Sequence, residues 1–202
     1  MIQQTESEPP RARASGDITS REVRSVSHST YRERLAESLF RGLRAAGVRF
    51  ASFLPDSSLY ELEELLVADA DVTAVQCTRE DEGVAMAVGA SIAGTRSVAL
   101  MEGTGLGYCG LILARARIQY TPLLIVFSHP RGGLGERLPH HSTSMLASHA
   151  CVSGLDIPLV IPSSAEGAAD TVAQAVETAY GQRCLIAVGV PSFVPSRHEV
   201  GR

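Results

Sequence analysis

The sequence contains no lysine, no asparagine and no tryptophan, and all 18 of its basic residues are arginine. Without lysine there is no Schiff-base amine, no P-loop ammonium and no lysine general base. A formal net charge of −4 gives no electrostatic case for nucleic acid or an acidic membrane surface. No apolar run is long enough to span a bilayer. The four cysteines, Cys77, Cys109, Cys151 and Cys184, lie far apart with no CxxC pair. The opening residues carry no secretory h-region, so the expectation is buried, reduced thiols in a cytoplasmic protein.

What is present is ordinary for a globular chain: 202 residues, 45% hydrophobic and 20% charged, enough for one domain with a full core. Residues 1–28 are rich in Ser, Arg, Glu and Pro. They read as a disordered or loosely docked tail, or as a short partner-binding arm. Residues 29–195 read as one ordered domain and 196–202 as a second short tail. Helical spacing of Leu35, Leu39, Phe40 and Leu43 predicts a helix capped at Ser29 or Thr30 and ended by Gly47. The strand 48–54 follows, then the turn Pro55-Asp56-Ser57-Ser58. Ser57 or Ser58 can cap a helix whose apolar face is Leu59, Leu62, Leu65 and Leu66. Further strands are expected over 72–78, 97–101, 122–128, 158–161 and 184–190, and further helices over 82–93, 108–119, 143–152 and 165–180. This alternation predicts an α/β fold in three layers, α/β/α, with a mostly parallel sheet. In such sheets ligands sit outside the carboxyl ends of the strands. The unusual loops 55–58, 78–82, 102–107 and 128–141 all fall there.

Between Cys77 and Gly107 an acid at a strand tip precedes a small-residue helix, a second strand and a glycine-rich turn. Glu80, held near packed backbone with little water, is able to share a proton with a ligand. Read more plainly, Glu80, Asp81 and Glu82 are acids favoured at a helix N-terminus. The turn GTGLGY puts Tyr108 where GxGxxG needs its last glycine, which argues against a dinucleotide site. His140 and His141 are adjacent, with His129 in the same loop and no second ligand cluster, so zinc is not indicated. They read as imidazoles lining a polar pocket or as a solvated pair. Ser128 and Ser142 lack a GxSxG elbow, so no hydrolytic nucleophile is supported.

Taken in order, LPDSSL, REDEGVAMAVGASIAG, MEGTGLGYCG and IVFSHPRGG resemble the pyrimidine-binding domain of thiamine-diphosphate-dependent enzymes. Within them the chain is most similar to phosphonopyruvate and sulfopyruvate decarboxylases. The resemblance covers about 30–190 and matches the family's acid and following glycine with Glu80 and Gly89. It implies that Glu80 hydrogen-bonds N1′ of the aminopyrimidine, activating a cofactor whose thiazolium is the electron sink for 2-oxo acid decarboxylation. It implies cofactor contacts from Pro55, Asp56, Gly105, Leu106 and Gly107, and proton transfer by His140 and His141. Asp56, Ser57, His129 and Arg131 are then the substrate-side candidates, the guanidinium suiting an anionic tail. Family members bind diphosphate and Mg²⁺ through a Gly-Asp-Gly start and a later asparagine. This chain has no asparagine, and its only Gly-Asp, Gly16-Asp17, lies in the tail. The resemblance therefore implies a split enzyme, with a separate β subunit carrying the diphosphate and Mg²⁺ site, no metal ligands on this chain, and an α2β2 or larger assembly. Two departures bear on the substrate: Glu102-Gly103 replaces the family's Gln-Asn, and Arg137-Leu138-Pro139 replaces Glu-Pro-Gln. A split carboligase and a non-catalytic stabilising subunit are the alternative readings.

Overall fold

A computed structural model describes residues 18–129 and 139–191. Six helices and six strands alternate: α1 Ile18–Ala45, β1 Phe50–Phe53, α2 Tyr60–Ala68, β2 Thr73–Gln76, α3 Glu80–Ile92 and β3 Ser97–Glu102. A 3₁₀ turn over Gly103–Tyr108 leads to α4 Gly110–Ile118, β4 Leu123–His129, α5 Pro139–Gly154, β5 Leu159–Val160, α6 Ala168–Gln182 and β6 Leu185–Pro191. All strands pair in parallel, in the order β2-β1-β3-β4-β6-β5. The expected three-layer α/β architecture is therefore present.

Strand parity builds the two cores. Val98 and Leu100 of β3, Leu124 and Val126 of β4, and Ile186 and Val188 of β6 face α1, α2 and α6. The intervening Ala99, Met101, Leu123, Ile125 and Phe127 face α3, α4 and α5. Both faces are covered, which is why β4 reads as an unbroken apolar run instead of an alternating one. Helix α3 lies so close to β1 that a Cβ on Gly83 would come within 3.1 Å of the Cys77 sulfur; the Ser52 hydroxyl donates to the Gly83 carbonyl there at 2.7 Å.

The chain leaves β1 to one side to form β2, then returns past β1 to form β3. The carboxyl ends of β1 and β3 thus flank the point where strand order reverses, the place where such sheets open a crevice for ligands. The register pairs Glu102 with Ser128 at the ends of β3 and β4. Among the described residues no helix is long and apolar enough to cross a membrane.

Several expected boundaries move. Helix α1 begins at Ile18, inside the stretch read as a tail, because residues 18–28 hold no glycine or proline to stop it. Helix α2 is preceded by Leu59 with no side-chain cap, since Asp56, not a serine, organises that turn by accepting the Ser58 N–H at 2.8 Å. Helix α3 starts at Glu80 and α5 at Pro139, so His140 and His141 occupy a helical first turn and not a loop. Residues 130–138, including Arg131 and the departure at 137 and 138, lie outside the described residues. All four cysteines are free thiols, Cys77 and Cys109 buried.

Candidate active site

The three acids that open α3 have different fates. Asp81 pairs with Arg79 across 2.9 Å on the surface. Glu82 reaches back to the first turn, its Oε2 accepting the Thr78 N–H at 3.0 Å and the Thr78 hydroxyl at 2.8 Å. These hydrogen bonds hold its carboxyl below the usual range. Glu80 has no hydrogen bond or salt bridge to another described residue. Its side chain lies against the backbone of the 3₁₀ turn instead: a Cβ built on Gly105 would stand 2.5 Å from Glu80 Oε1 and 2.6 Å from Cδ. Only a residue without a side chain lets the carboxyl approach so closely. Gly89, one helical face further on, is exposed with open space around its Cα.

A second group of polar side chains gathers at the switch point. Asp56, Ser57 and Ser58 from the end of β1, Glu102 from β3, Ser128 from β4, and His140, His141 and Ser144 from α5 border a cavity of about 200 Å³. Even numbering explains part of this: Glu102 and Ser128 continue the parity of Leu100 and Val126 and point to the α1–α2 side. Asp56 accepts the Ser58 N–H at 2.8 Å and the Ser128 hydroxyl at 3.3 Å. Burial pushes its carboxyl up, the two hydrogen bonds oppose that, and the charge of Glu102 adds to it. Glu102 is itself fixed by the Thr104 hydroxyl at 2.6 Å. The His140 and His141 rings meet edge to face, their centroids 4.6 Å apart. The Ser144 hydroxyl is fully buried and has no hydrogen-bond partner among the described residues.

Behind this cavity lies a residue the sequence reading passed over. Glu63 of α2 is 3% exposed, and its Oε1 accepts the backbone N–H of Asp56 at 3.2 Å. Burial pushes its carboxyl up to about 7, against the pull of that hydrogen bond, and the charges of Asp56 and Glu61 push the same way as burial. The only hint in the sequence is a carboxylate within the leucine face Leu59–Leu62–Leu66, where a solvent-facing acid would not fall.

Not every candidate joins the site. His129 has odd parity and projects to the opposite face of the sheet, under His149 of α5, with Nε2 atoms 3.4 Å apart. Burial and the His149 charge both lower its basicity, and it does not border the cavity with Asp56 and Ser57. Leu106 is wholly buried in the core beside Val84 and Leu113, because the 3₁₀ turn rolls it inward. Gly107 is exposed, 3.9 Å from Ala147 at its would-be Cβ, and Pro55 is exposed at the rim. Among the described residues no group of three His, Cys, Asp or Glu side chains could hold a metal ion.

Comparison with known proteins bears on the family and the fold. The family model for the thiamine pyrophosphate enzyme N-terminal TPP-binding domain matches residues 33–150. The sulfopyruvate decarboxylase subunit alpha of Methanothermobacter thermautotrophicus is 29% identical over 154 residues, 76% of this chain and 93% of that protein. The protein of the same name from Methanococcus maripaludis is 25% identical over 76% of this chain and 92% of its own length. Among solved structures, benzoylformate decarboxylase from Polynucleobacter necessarius superposes with a TM-score of 0.62 at 23% identity over 83% of this chain. A 2-oxoglutarate:ferredoxin oxidoreductase from Magnetococcus marinus does so at 0.62 and 20% over 78%. The chain spans only 32% and 28% of those two chains, and at that identity they speak for the fold alone.

Proposed function

The chain belongs to the thiamine pyrophosphate enzymes through their N-terminal TPP-binding domain, and from that premise we propose that it is the α subunit of a two-component decarboxylase acting on a small 2-oxo acid. The observation that carries the reading is Glu80. Its carboxylate stands at the carboxyl end of the sheet against a glycine backbone, unclaimed by the partners that occupy Asp81 and Glu82. That geometry fits the aminopyrimidine edge of thiamine diphosphate, with Glu80 holding a proton at N1′. When bound, the cofactor supplies a thiazolium that takes up the electron pair left as carbon dioxide departs.

The remaining roles fall to the cavity at the switch point. Asp56, held by the Ser58 N–H and the Ser128 hydroxyl, faces the cavity beside His140 and His141, the imidazoles placed to carry the proton that the product side of a decarboxylation needs. Gly105 keeps the wall flat against Glu80, and the buried Leu106 anchors the turn behind it. His129 is assigned no role at the substrate.

Mg²⁺ and the diphosphate are assigned to a separate β subunit, since the chain has no asparagine and no Gly-Asp outside its first residues. The relatives' name as subunit alpha supports a partner, and so does an apolar stripe. Ile92 of α3, Tyr108 of the 3₁₀ turn, and Leu111 and Ile118 of α4 are 66–72% exposed, and Tyr108 and Leu111 line a groove rimmed by Arg79, Asp81, Glu82 and Arg115. Leu111 and Ile118 lie seven residues apart on one face of α4, with Tyr108 beside Leu111 in that groove, and exposed apolar side chains so grouped mark an interface. The test is carbon dioxide release from 2-oxo acids by the chain reconstituted with its partner, thiamine diphosphate and Mg²⁺. Glu80→Gln, which cannot exchange that proton, should lower kcat at least about a hundredfold. Undiminished turnover in the variant would overturn the assignment.

A further inference from the structure

The cavity at the switch point carries charge of one sign on its fixed wall. Glu102 is pinned by the Thr104 hydroxyl at 2.6 Å, and Asp56 by the Ser58 N–H at 2.8 Å and the Ser128 hydroxyl at 3.3 Å. Neither carboxylate is free to swing aside. The placement of Glu102 is set by strand pairing, because the β3–β4 register puts it beside Ser128. The described residues bordering the cavity include no arginine; serines and the His140–His141 pair complete them. Even with both imidazoles protonated, two ionised carboxylates would only be balanced. A further sign of a ligand is Ser144: it borders the cavity, its Oγ is fully buried, and it has no hydrogen-bond partner among the described residues.

We propose that Glu102 is a specificity-determining residue that, with Asp56, fits the cavity to a 2-oxo acid whose distal group donates hydrogen bonds and turns away sulfonate and phosphonate tails. The inference rests on the 2-oxo acid decarboxylase reading and deepens it. A distal hydroxyl or guanidinium would meet carboxylates already oriented to accept, giving the strong, charge-assisted kind of hydrogen bond. A sulfonate about 5 Å from Glu102, at the effective dielectric of a protein site, would be disfavoured by on the order of a hundredfold. The repulsive element matters as much as the attractive one in setting which substrate is preferred.

The experiment is calorimetric binding of three 2-oxo acids to the complex of this chain with its partner subunit: hydroxypyruvate, 5-guanidino-2-oxopentanoate and sulfopyruvate. The wild-type complex should bind one of the first two at least about tenfold more tightly than sulfopyruvate, and which one tells a neutral donor from a cationic one. Glu102→Gln, which removes that repulsion, should narrow the ratio by on the order of a hundredfold, while Glu102→Asp, which keeps the charge, should preserve it. Tightest binding of sulfopyruvate, a ratio indifferent to Glu102→Gln, or no binding of any of the three would overturn the proposal. Carbon dioxide release is followed in parallel with thiamine diphosphate and Mg²⁺ present. The expected binding order without turnover would refute the decarboxylase reading and leave the cavity assignment standing. Turnover with sulfopyruvate preferred would do the reverse.

Discussion

Replacing Gly105 with alanine separates the chemistry of Glu80 from the stability of the fold. The new Cβ would lie 2.5 Å from Glu80 Oε1 and 2.6 Å from Cδ, where ordinary contact begins at 3.4 Å. The carboxyl must therefore retreat by about 1 Å, and a displacement of that size at a catalytic group costs roughly a hundredfold in rate. The obstructed atoms, Glu80 Cγ, Cδ and Oε1, belong to a flexible side chain and not to backbone, and Gly105 does not occupy the left-handed region that would strain an alanine. Stability should then stay within about 1 kcal/mol of wild type. The assay is kcat for carbon dioxide release by the reconstituted complex, with Tm measured on the same preparations. Full activity in Gly105→Ala would refute the placement of Glu80. A rate loss matched by collapse of Tm would show that the backbone, not the carboxyl, gives way.

Gly42→Ala should behave in the opposite manner, because its Cβ would meet the Ala169 backbone where α1 crosses α6, at 3.0 Å from the carbonyl carbon and closer to the oxygen. Overpacking there should cost about 1–3 kcal/mol and lower Tm by several degrees with kcat per folded molecule unchanged; an unchanged Tm would contradict it. Glu63 carries a pH dependence. Its folded carboxyl titrates near 7, above its ordinary value, so the folded chain holds the proton more tightly than the unfolded one. Stability should fall as pH rises through about 4.5 to 7, by up to about 3 kcal/mol. Glu63→Gln should flatten that fall and raise Tm at pH 8, and parallel Tm–pH curves for the two proteins would refute it.

The layer order, the parallel sheet and the rim loops were legible in the sequence because a sheet buried on both faces must be written as short apolar runs between amphipathic helices. Glu80 was legible for a related reason, as an acid placed at the strand tip before a helix of small residues. The step to Gly89 singled out Glu80 among its neighbours by resemblance; what only coordinates show is that Thr78 and Arg79 occupy Glu82 and Asp81. Side-chain direction at the strand ends was harder to read. His129 and Ser128 are adjacent, yet one residue of parity sends them to opposite faces, and the loop composition that drew attention to His129 carries no parity. The inward roll of Leu106 depends on a 3₁₀ turn that glycine content alone does not distinguish from an open loop. Glu63 was hidden by ordinary helix statistics: glutamate is common in helices, and its burial appears only once the Asp56 turn folds over it. The start of α1 was misplaced because polar composition resembles a tail even where nothing in it breaks a helix.

On the proposed function, this chain works as one half of a thiamine-diphosphate site. Native mass spectrometry of the chain purified from its own cells, with thiamine diphosphate and Mg²⁺ present, tests it most directly. The expected result is a heteromeric complex carrying one cofactor for each pair of unlike chains. A stable homo-oligomer without cofactor would contradict it.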